Sequence, residues 1–515
     1  MLARIRSAAV LGVDAYAVDV EIDISNGLPS FATVGLPQGA VREGRERVAA
    51  AVANAGFVMP LKRVTVNLAP ADVPKAGSAF DLPIALGILV ASGQLPGERL
   101  AELAVVGEVG LTGELRPVRG ALSLAVGLRD AGVRALLVPE ANVREAAVVE
   151  GLVVYGAASL TDVIGHLTGE RALEPVREDA LAWLQRRTGD DTDFADVRGQ
   201  AATKRALEVA AAGAHNILLI GPPGSGKTML ARRLPGILPS MTLAEALETT
   251  KVHSVAGLLP SGRCLVTTRP FRAPHHTVSD AGLVGGGSPP RPGEVSLAHG
   301  GVLFLDELPH YRVHVLEVLR QPLEDGSVTL SRATLSLTYP ARIMLAAAMN
   351  PCPCGHAGDP AHPCRCLPDA VQRYRTRLSG PLLDRIDIHL EVPALPYRDL
   401  AGDPQAESSA TIRARVEAAR ERQRARFRAS PGIHANAHMS VREIRRHCVV
   451  AGGVEALLRT AITQLGLSAR AYHRVLRIAR TIADLAGSEA LQEVHVAEAI
   501  RYRTLDRGEA RPPDA

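Results

Sequence analysis

The chain has 515 residues, a length that suits about three domains and excludes a small disulfide-stapled scaffold. Its net charge of +4 permits a nucleic-acid partner without requiring one. No stretch has the layout of a signal peptide and no apolar run reaches membrane-spanning length, so a cytoplasmic protein without a membrane partner is expected.

The first 170 residues read as an α/β unit. Val18 to Ile24 alternates apolar and polar residues with period two, as a half-buried strand does. Val41 to Ala55 has helical spacing, and Val64 to Leu68 is a further strand. Two stretches, Pro74-Lys75-Ala76-Gly77-Ser78-Ala79-Phe80-Asp81 and Val106 to Val118, resemble the proteolytic domain of Lon and its non-proteolytic relative in RadA recombinases. That resemblance implies a ribosomal-S5-like (S5 domain 2-like) α/β fold and, in Lon, a Ser–Lys dyad with the lysine as base. Here Ala79 falls at the nucleophile position with Ser78 beside it, and Leu122 stands where the lysine belongs. No lysine lies between Lys75 and Lys204, so a structural module is expected and a protease is not. Residues 171–195, rich in Asp, Glu and Arg, read as a linker.

The densest signal follows. The apolar run Ile217 to Ile220 leads into Gly221-Pro222-Pro223-Gly224-Ser225-Gly226-Lys227-Thr228 and then a helical stretch, which is the strand–loop–helix order a P-loop needs. Such a loop turns backbone N–H groups toward phosphate, and the helix N-terminus adds its positive end. Lys227 would reach the β- and γ-phosphates of ATP and Thr228 would ligate Mg²⁺. The chain has only five lysines, so one at this position is unlike a chance match. A second buried strand, Val302 to Leu305, delivers Asp306 and Glu307. Asp306 would hold Mg²⁺ through water, and Glu307 would deprotonate the attacking water. Residues 327–337 read as a hairpin, and the strand from Ile343 to Ala348 ends near Asn350, which fits a residue that holds the lytic water.

Asp196-Val197-Arg198-Gly199-Gln200 is similar to a segment that lies beside adenine in AAA+ proteins, and Ser379 to Asp387 resembles the arginine-finger segment of Mg-chelatase and MCM-type ATPases. Together these motifs identify the chain as a member of the YifB/ComM family of Mg-chelatase-like AAA+ proteins. The resemblance implies a Lon-like domain at 1–170, an AAA+ P-loop ATPase core with a helix-2 insert at 196–395, and a helical domain at 396–506. Residues 507–515 read as a disordered tail. It further implies a homo-hexamer in which Arg385 acts on the neighbouring subunit's ATP. Arg470 is the first choice for a further phosphate contact and Arg474 the second.

Between Asn350 and Arg385, residues 352–366 contain Cys352, Cys354, Cys364 and Cys366 in a C-x-C-x₉-C-x-C spacing. Four thiolates from two short loops can close a tetrahedron around structural Zn²⁺, with His356 and His362 as substitutes and a redox disulfide pair as the other reading. The helix from Thr411 to Arg428 carries seven arginines and suits either a solvated basic face or one turned to DNA.

Three functions follow from these residues. The resemblance to ComM implies an ATP-driven DNA helicase promoting branch migration in natural transformation. Arg272, His275 and His276 in the helix-2 insert and Arg332 at the hairpin tip are then the expected contacts to single-stranded or branched DNA. A chelatase-type ATPase remodelling a protein partner or driving metal insertion is the alternative, although the D-x-S-x-S adhesion motif of the chelatase partner subunit is absent. A Lon-like protease lacks its base.

Overall fold

Alternating side chains turn the opening of the chain into sheet. In the computed structural model, which describes residues 2–185, 192–260, 262–288, 290–332, 335–359, 362–394, 407–430, 432–465 and 468–503, the strand Asp14–Ser25 buries Val18, Val20, Ile22 and Ile24 on one face. It pairs antiparallel with Leu2–Leu11 on one side and Arg63–Ala69 on the other. The sheet runs, edge to edge, through Pro175–Val176, Val153–Ala157, Ala135–Pro139, Leu103–Val105, Leu2–Leu11, Asp14–Ser25, Arg63–Ala69 and Ser30–Val34. Helix Asp81–Ala91 lies almost wholly inside, and its Leu82, Leu86, Ile88 and Leu89 are sealed from water. Each such side chain contributes about 1.5–3 kcal/mol. Pro175–Val176 falls in the stretch expected to be a linker, yet it pairs antiparallel with Val153–Ala157 as the sheet's edge strand. Its two residues are too few to show a period in sequence.

In the dyad region Ser78, Ala79 and Val118 line a cavity of about 1120 Å³. Leu122 is fully buried in helix Ala121–Asp130, and the Ser78 hydroxyl donates to the Glu108 carboxylate and not to a lysine.

A second sheet has five parallel strands in the order Phe271–Arg272, Val302–Leu305, Met344–Met349, Ile217–Ile220 and Ile388–Glu391. Parallel sheets are covered on both faces. Accordingly every residue of Ile217–Ile220, Val302–Leu305 and Met344–Met349 is buried. Helix Leu243–Ala256, started by a capping box of Thr242 and Glu245, joins this sheet's layer to the first. From it Ser254 donates to the buried Glu145 carboxylate, and Lys251 Nζ reaches Asp14 at 3.0 Å.

Gly285–Gly286 pairs with Arg291–Pro292 as a small antiparallel ribbon, so this glycine run is held and not free. Ser327–Arg332 and Leu335–Pro340 form the expected hairpin, with Thr329 and Thr338 hydroxyls 3.1 Å apart across it. Its tip at 333–334 and the Arg332 side chain lie outside the described residues.

Helices Ser409–Phe427, Val441–His447, Gly453–Leu465, Ala469–Leu485 and Glu493–Arg501 complete the chain. They share one core with the sheet's Ile217, Leu219 and Ile388. Of the arginines of Ser409–Phe427, Arg422 and Arg424 stay exposed, while four others turn to neighbouring elements. Arg413 donates to Gly236 O at 2.9 Å, Arg415 to Glu208 at 2.5 Å, Arg420 to Ala211 O at 2.9 Å and Arg426 to Asp484 at 2.8 Å. They fasten the helix to its neighbours. The tail 507–515 lies outside the described residues, and among those described no helix is long and apolar enough to cross a membrane.

Candidate nucleotide site and cysteine cluster

In a parallel sheet the loops after the strands gather at one edge. Ile217–Ile220 therefore brings Gly221 to Gly226 to the same end as Asn350, which follows the neighbouring strand, and Asp306 and Glu307, which follow the strand beyond it. Gly221 is required there, because a Cβ would stand 2.2 Å from Val392 O. Helix Lys227–Arg232 starts at the loop's end. Lys227 Nζ folds back over the loop, donating to Gly221 O at 2.7 Å and Pro222 O at 2.8 Å, and it lies 3.3 Å from Asn350 Oδ1. Burial pushes its pKa down, with Asp306 opposing. Gln200 Nε2 donates to Ser225 O at 3.3 Å, which ties the D-x-x-G-Q segment to the loop.

Thr228 Oγ1 donates to Asp306 Oδ2 at 2.6 Å, so the two oxygens expected around Mg²⁺ already face one another. A Mg²⁺ ion takes oxygen ligands at about 2.0–2.1 Å, and this pair would hold it with water between ion and carboxylate. Glu307 has φ 52 and ψ 46, left-handed backbone that a non-glycine residue seldom takes outside functional sites. Its carboxylate is exposed, 3.1 Å from His310 Nδ1 and 3.9 Å from His276 Nδ1. Neither histidine was expected beside this glutamate. His310, three residues on, was open to reading from its spacing, whereas His276 arrives from another strand.

Arg385 and Arg470 stand elsewhere. Asp387 N donates to Asn216 O and Asn216 Nδ2 to Arg385 O at 2.8 Å, which puts this segment before the strands, at the end of the sheet opposite the P-loop. The Arg385 guanidinium is bonded to Glu324, to Arg320 O at 3.1 Å and to Pro381 O at 2.8 Å. Arg470 bonds Asp384 at 3.1 Å, and Arg474 lies 3.5 Å from Asp387. All three arginines line one cleft of about 460 Å³ with Glu324. Desolvation raises the Asp387 pKa, but His215, Arg474 and Arg477 outweigh it and hold the carboxyl at about 2. Arg470 thus joins the Arg385 cleft and not the P-loop of its own chain, a placement hidden in sequence by the 84 residues between them.

The four cysteines come together. Cys352 Sγ lies 3.4 Å from Cys354 Sγ and 3.7 Å from Cys364 Sγ, Cys354 Sγ lies 3.6 Å from Cys364 Sγ, and Cys366 completes a set within 4.8 Å. All are free thiols. Zn–S bonds of about 2.3 Å arranged as a tetrahedron put sulfurs roughly 3.8 Å apart, so the set fits Zn²⁺. Ala357 N donates to Cys352 Sγ at 3.3 Å and Cys366 N to Cys364 Sγ at 3.5 Å. His356 and His362 are not needed as ligands here; both turn to Asp359. Gly355, at φ 85, lies against the P-loop, where its Cβ would meet Pro223 Cδ at 2.6 Å.

Of the residues expected to meet DNA, Arg272 belongs to the edge strand of the ATPase sheet and is held by Glu294 at 2.6 and 2.7 Å. His275 is exposed and its ring lies 4.1 Å from that of His276, which faces Glu307. This segment consequently runs from the sheet edge to the candidate catalytic glutamate.

Family models match in three blocks. One described as magnesium chelatase, subunit ChlI, covers residues 193–400; subunit ChlI of Mg-chelatase covers 20–142; and the ChlI C-terminal model covers 406–503. Competence protein ComM of Haemophilus influenzae is 46% identical over 512 residues, 98% of each chain. The uncharacterized protein YifB of Escherichia coli is 45% identical over 508 residues, again 98% of each. The magnesium-chelatase 38 kDa subunit of Rhodobacter capsulatus is 28% identical over 233 residues, 41% of this chain and 62% of that one. With a ChlI-type P-loop ATPase core and this likeness along its length, the chain belongs to the YifB/ComM family of Mg-chelatase-like AAA+ proteins.

Proposed function

We propose that the protein is an ATP-hydrolysing ring motor, a homo-hexamer acting on DNA as a helicase in branch migration. The observation that carries the ring is the placement of Arg385 and Arg470 at the opposite end of the sheet from their own P-loop. Arginines so placed serve a phosphate only in a neighbouring subunit. DNA as substrate is supported by a full-length relative named for competence, the uptake of DNA.

In this reading Gly221 to Thr228 bind ATP, Thr228 and Asp306 hold Mg²⁺, and Asn350 and Glu307 position and deprotonate the water. The domains are the Lon-like module at 1–170, the core at 196–395 and the helical domain at 396–506. The cysteine loop at 352–366 holds structural Zn²⁺ that braces the P-loop through Gly355 and Pro223. Hydrolysis moves the segment 271–277 through the contact of His276 with Glu307, and the hairpin carries Arg332 along the strand. Arg272, engaged by Glu294, would have to leave that partner to meet a phosphate, so His275 and Arg332 are the stronger contacts.

The test is ATP turnover with and without single-stranded, duplex and forked DNA. DNA should stimulate wild type, and Arg332→Ala should keep basal turnover while losing stimulation and strand displacement. Wild-type protein that neither binds DNA nor displaces a strand with ATP and Mg²⁺ removes the motor. The match to ChlI models over all three blocks would then favour the remodeller of a protein partner or of metal insertion. Purified protein should also carry about one tightly held Zn²⁺ in the Cys₄ site, lost from the double variant Cys352→Ser, Cys364→Ser; elemental analysis decides.

A further inference from the structure

We propose that His356, Asp359 and His362 form a second metal site, for a divalent transition ion, beside the four-cysteine loop. The cysteines supply four sulfurs, enough to fill a tetrahedron, so the two histidines are left over from that set. They are brought together all the same. His356 Nδ1 lies 3.3 Å and His362 Nδ1 3.1 Å from the same oxygen, Asp359 Oδ2, and the two rings stand 5.2 Å apart.

The two nitrogen–oxygen separations suit ligands of a shared ion, and all three ligand atoms lie within 4.8 Å of one another. Bonds of about 2.0–2.2 Å from nitrogen and oxygen put neighbouring ligands roughly 3–3.5 Å apart in octahedral or tetrahedral geometry. Imidazole with carboxylate selects zinc, cobalt, nickel or copper over magnesium or calcium, which prefer an all-oxygen shell. Burial points the same way, since the Asp359 side chain is only 4% exposed while that of His362 is 68% exposed. The exposed imidazole gives an ion a way in to the buried carboxylate. Three protein ligands leave at least one position for water or an exchanging ligand, so binding here is readily reversible, unlike binding in a closed Cys₄ shell. The spacing H-x₂-D-x₂-H lies wholly between the two cysteine pairs. An ion there would draw the arms of that loop together, behind the turn at Gly355 that rests on Pro223.

This assignment does not rest on the Cys₄ site being filled, and the experiment separates the two. Full-length zinc-loaded protein is dialysed to equilibrium against Co²⁺, bound metal is taken as the excess on the protein side over free Co²⁺, and cobalt absorption is read on the same sample. Wild type should hold one ion more per chain than His356→Ala, His362→Ala. That extra cobalt should show weak ligand-field bands without the intense thiolate charge-transfer band of a cysteine site. The variant should keep its zinc and bind nucleotide as wild type does, which shows that the fold survives. The milder Asp359→Asn should weaken the extra binding at least tenfold. The proposal is overturned if wild type takes up no ion beyond the cysteine-bound one, if the histidine variant takes up as much as wild type, or if the extra cobalt carries a thiolate band.

Discussion

Glu307→Gln protein is expected to bind ATP and Mg²⁺ as wild type does and to hydrolyse it about 10²–10⁴-fold more slowly. The substitution keeps the shape of the side chain and a carbonyl oxygen for His310, now 3.1 Å from the carboxylate, and removes only the basic oxygen. It leaves untouched Thr228 and Asp306, whose oxygens meet at 2.6 Å. Binding and turnover should therefore part company. Lys227→Ala should lose both, since Nζ lies over the carbonyls of Gly221 and Pro222 where phosphate charge must be met. Equilibrium binding of a fluorescent ATP analogue, measured beside phosphate release, distinguishes the two variants. Wild-type phosphate release from purified Glu307→Gln protein would take the role of base away from this residue and pass attention to His276 and His310.

Local pattern made the P-loop end of this molecule readable. Four apolar residues before Gly221 and four before Asp306 describe strands buried on both faces, and such strands have only one end at which to present a loop to ligand. Once two of them carry a phosphate loop and an acidic pair, the fold brings those loops to one edge, although Met344–Met349 lies between the two strands. The cysteines were readable for a similar reason, because all four ligands come from fifteen consecutive residues.

Other features depend on partners remote in sequence. Nothing around Thr411 to Arg428 distinguishes an arginine facing water from one facing a helix. The carbonyl oxygens that Arg413 and Arg420 meet belong to Gly236 and Ala211. His276 precedes Glu307 by 31 positions, and only the parallel pairing of Phe271–Arg272 with Val302–Leu303 brings the two loops together. The edge strand Pro175–Val176 is set by Val154 and Tyr155 across from it, not by its own composition. Composition marked that stretch as polar, and a polar strand at a sheet edge looks the same as a linker.

The largest effect apart from the base is expected at Arg385, where Ala should cost about 10³-fold or more in turnover while the variant's own P-loop still binds ATP. The strands between the two ends of the sheet are four residues long at Ile217–Ile220, which puts roughly 13 Å of backbone between Asn216 and the phosphate loop. The Arg385 carbonyl is fixed to Asn216 at 2.8 Å and its guanidinium points to Glu324, Arg320 O and Pro381 O. No rotation of that side chain carries it around the sheet. Its Glu324 partner is exposed, so that ion pair contributes only about 0–1 kcal/mol, and a stronger anion has to outweigh it together with the bonds to Arg320 O and Pro381 O. A neighbour's γ-phosphate is such an anion. Rings mixed from Arg385→Ala and Lys227→Ala chains should then regain turnover that neither variant has alone. Wherever the Arg385→Ala chain's sound P-loop meets the Lys227→Ala chain's sound arginine, one complete site is formed. The rescue should rise and fall with the mixing ratio and peak near equal parts. Arg470→Ala should behave in the same way, because it shares the cleft and the Asp384 segment. Mixed rings verified by mass that show no turnover above the sum of the two variants would place both arginines outside catalysis, as fasteners of the Asp384 loop.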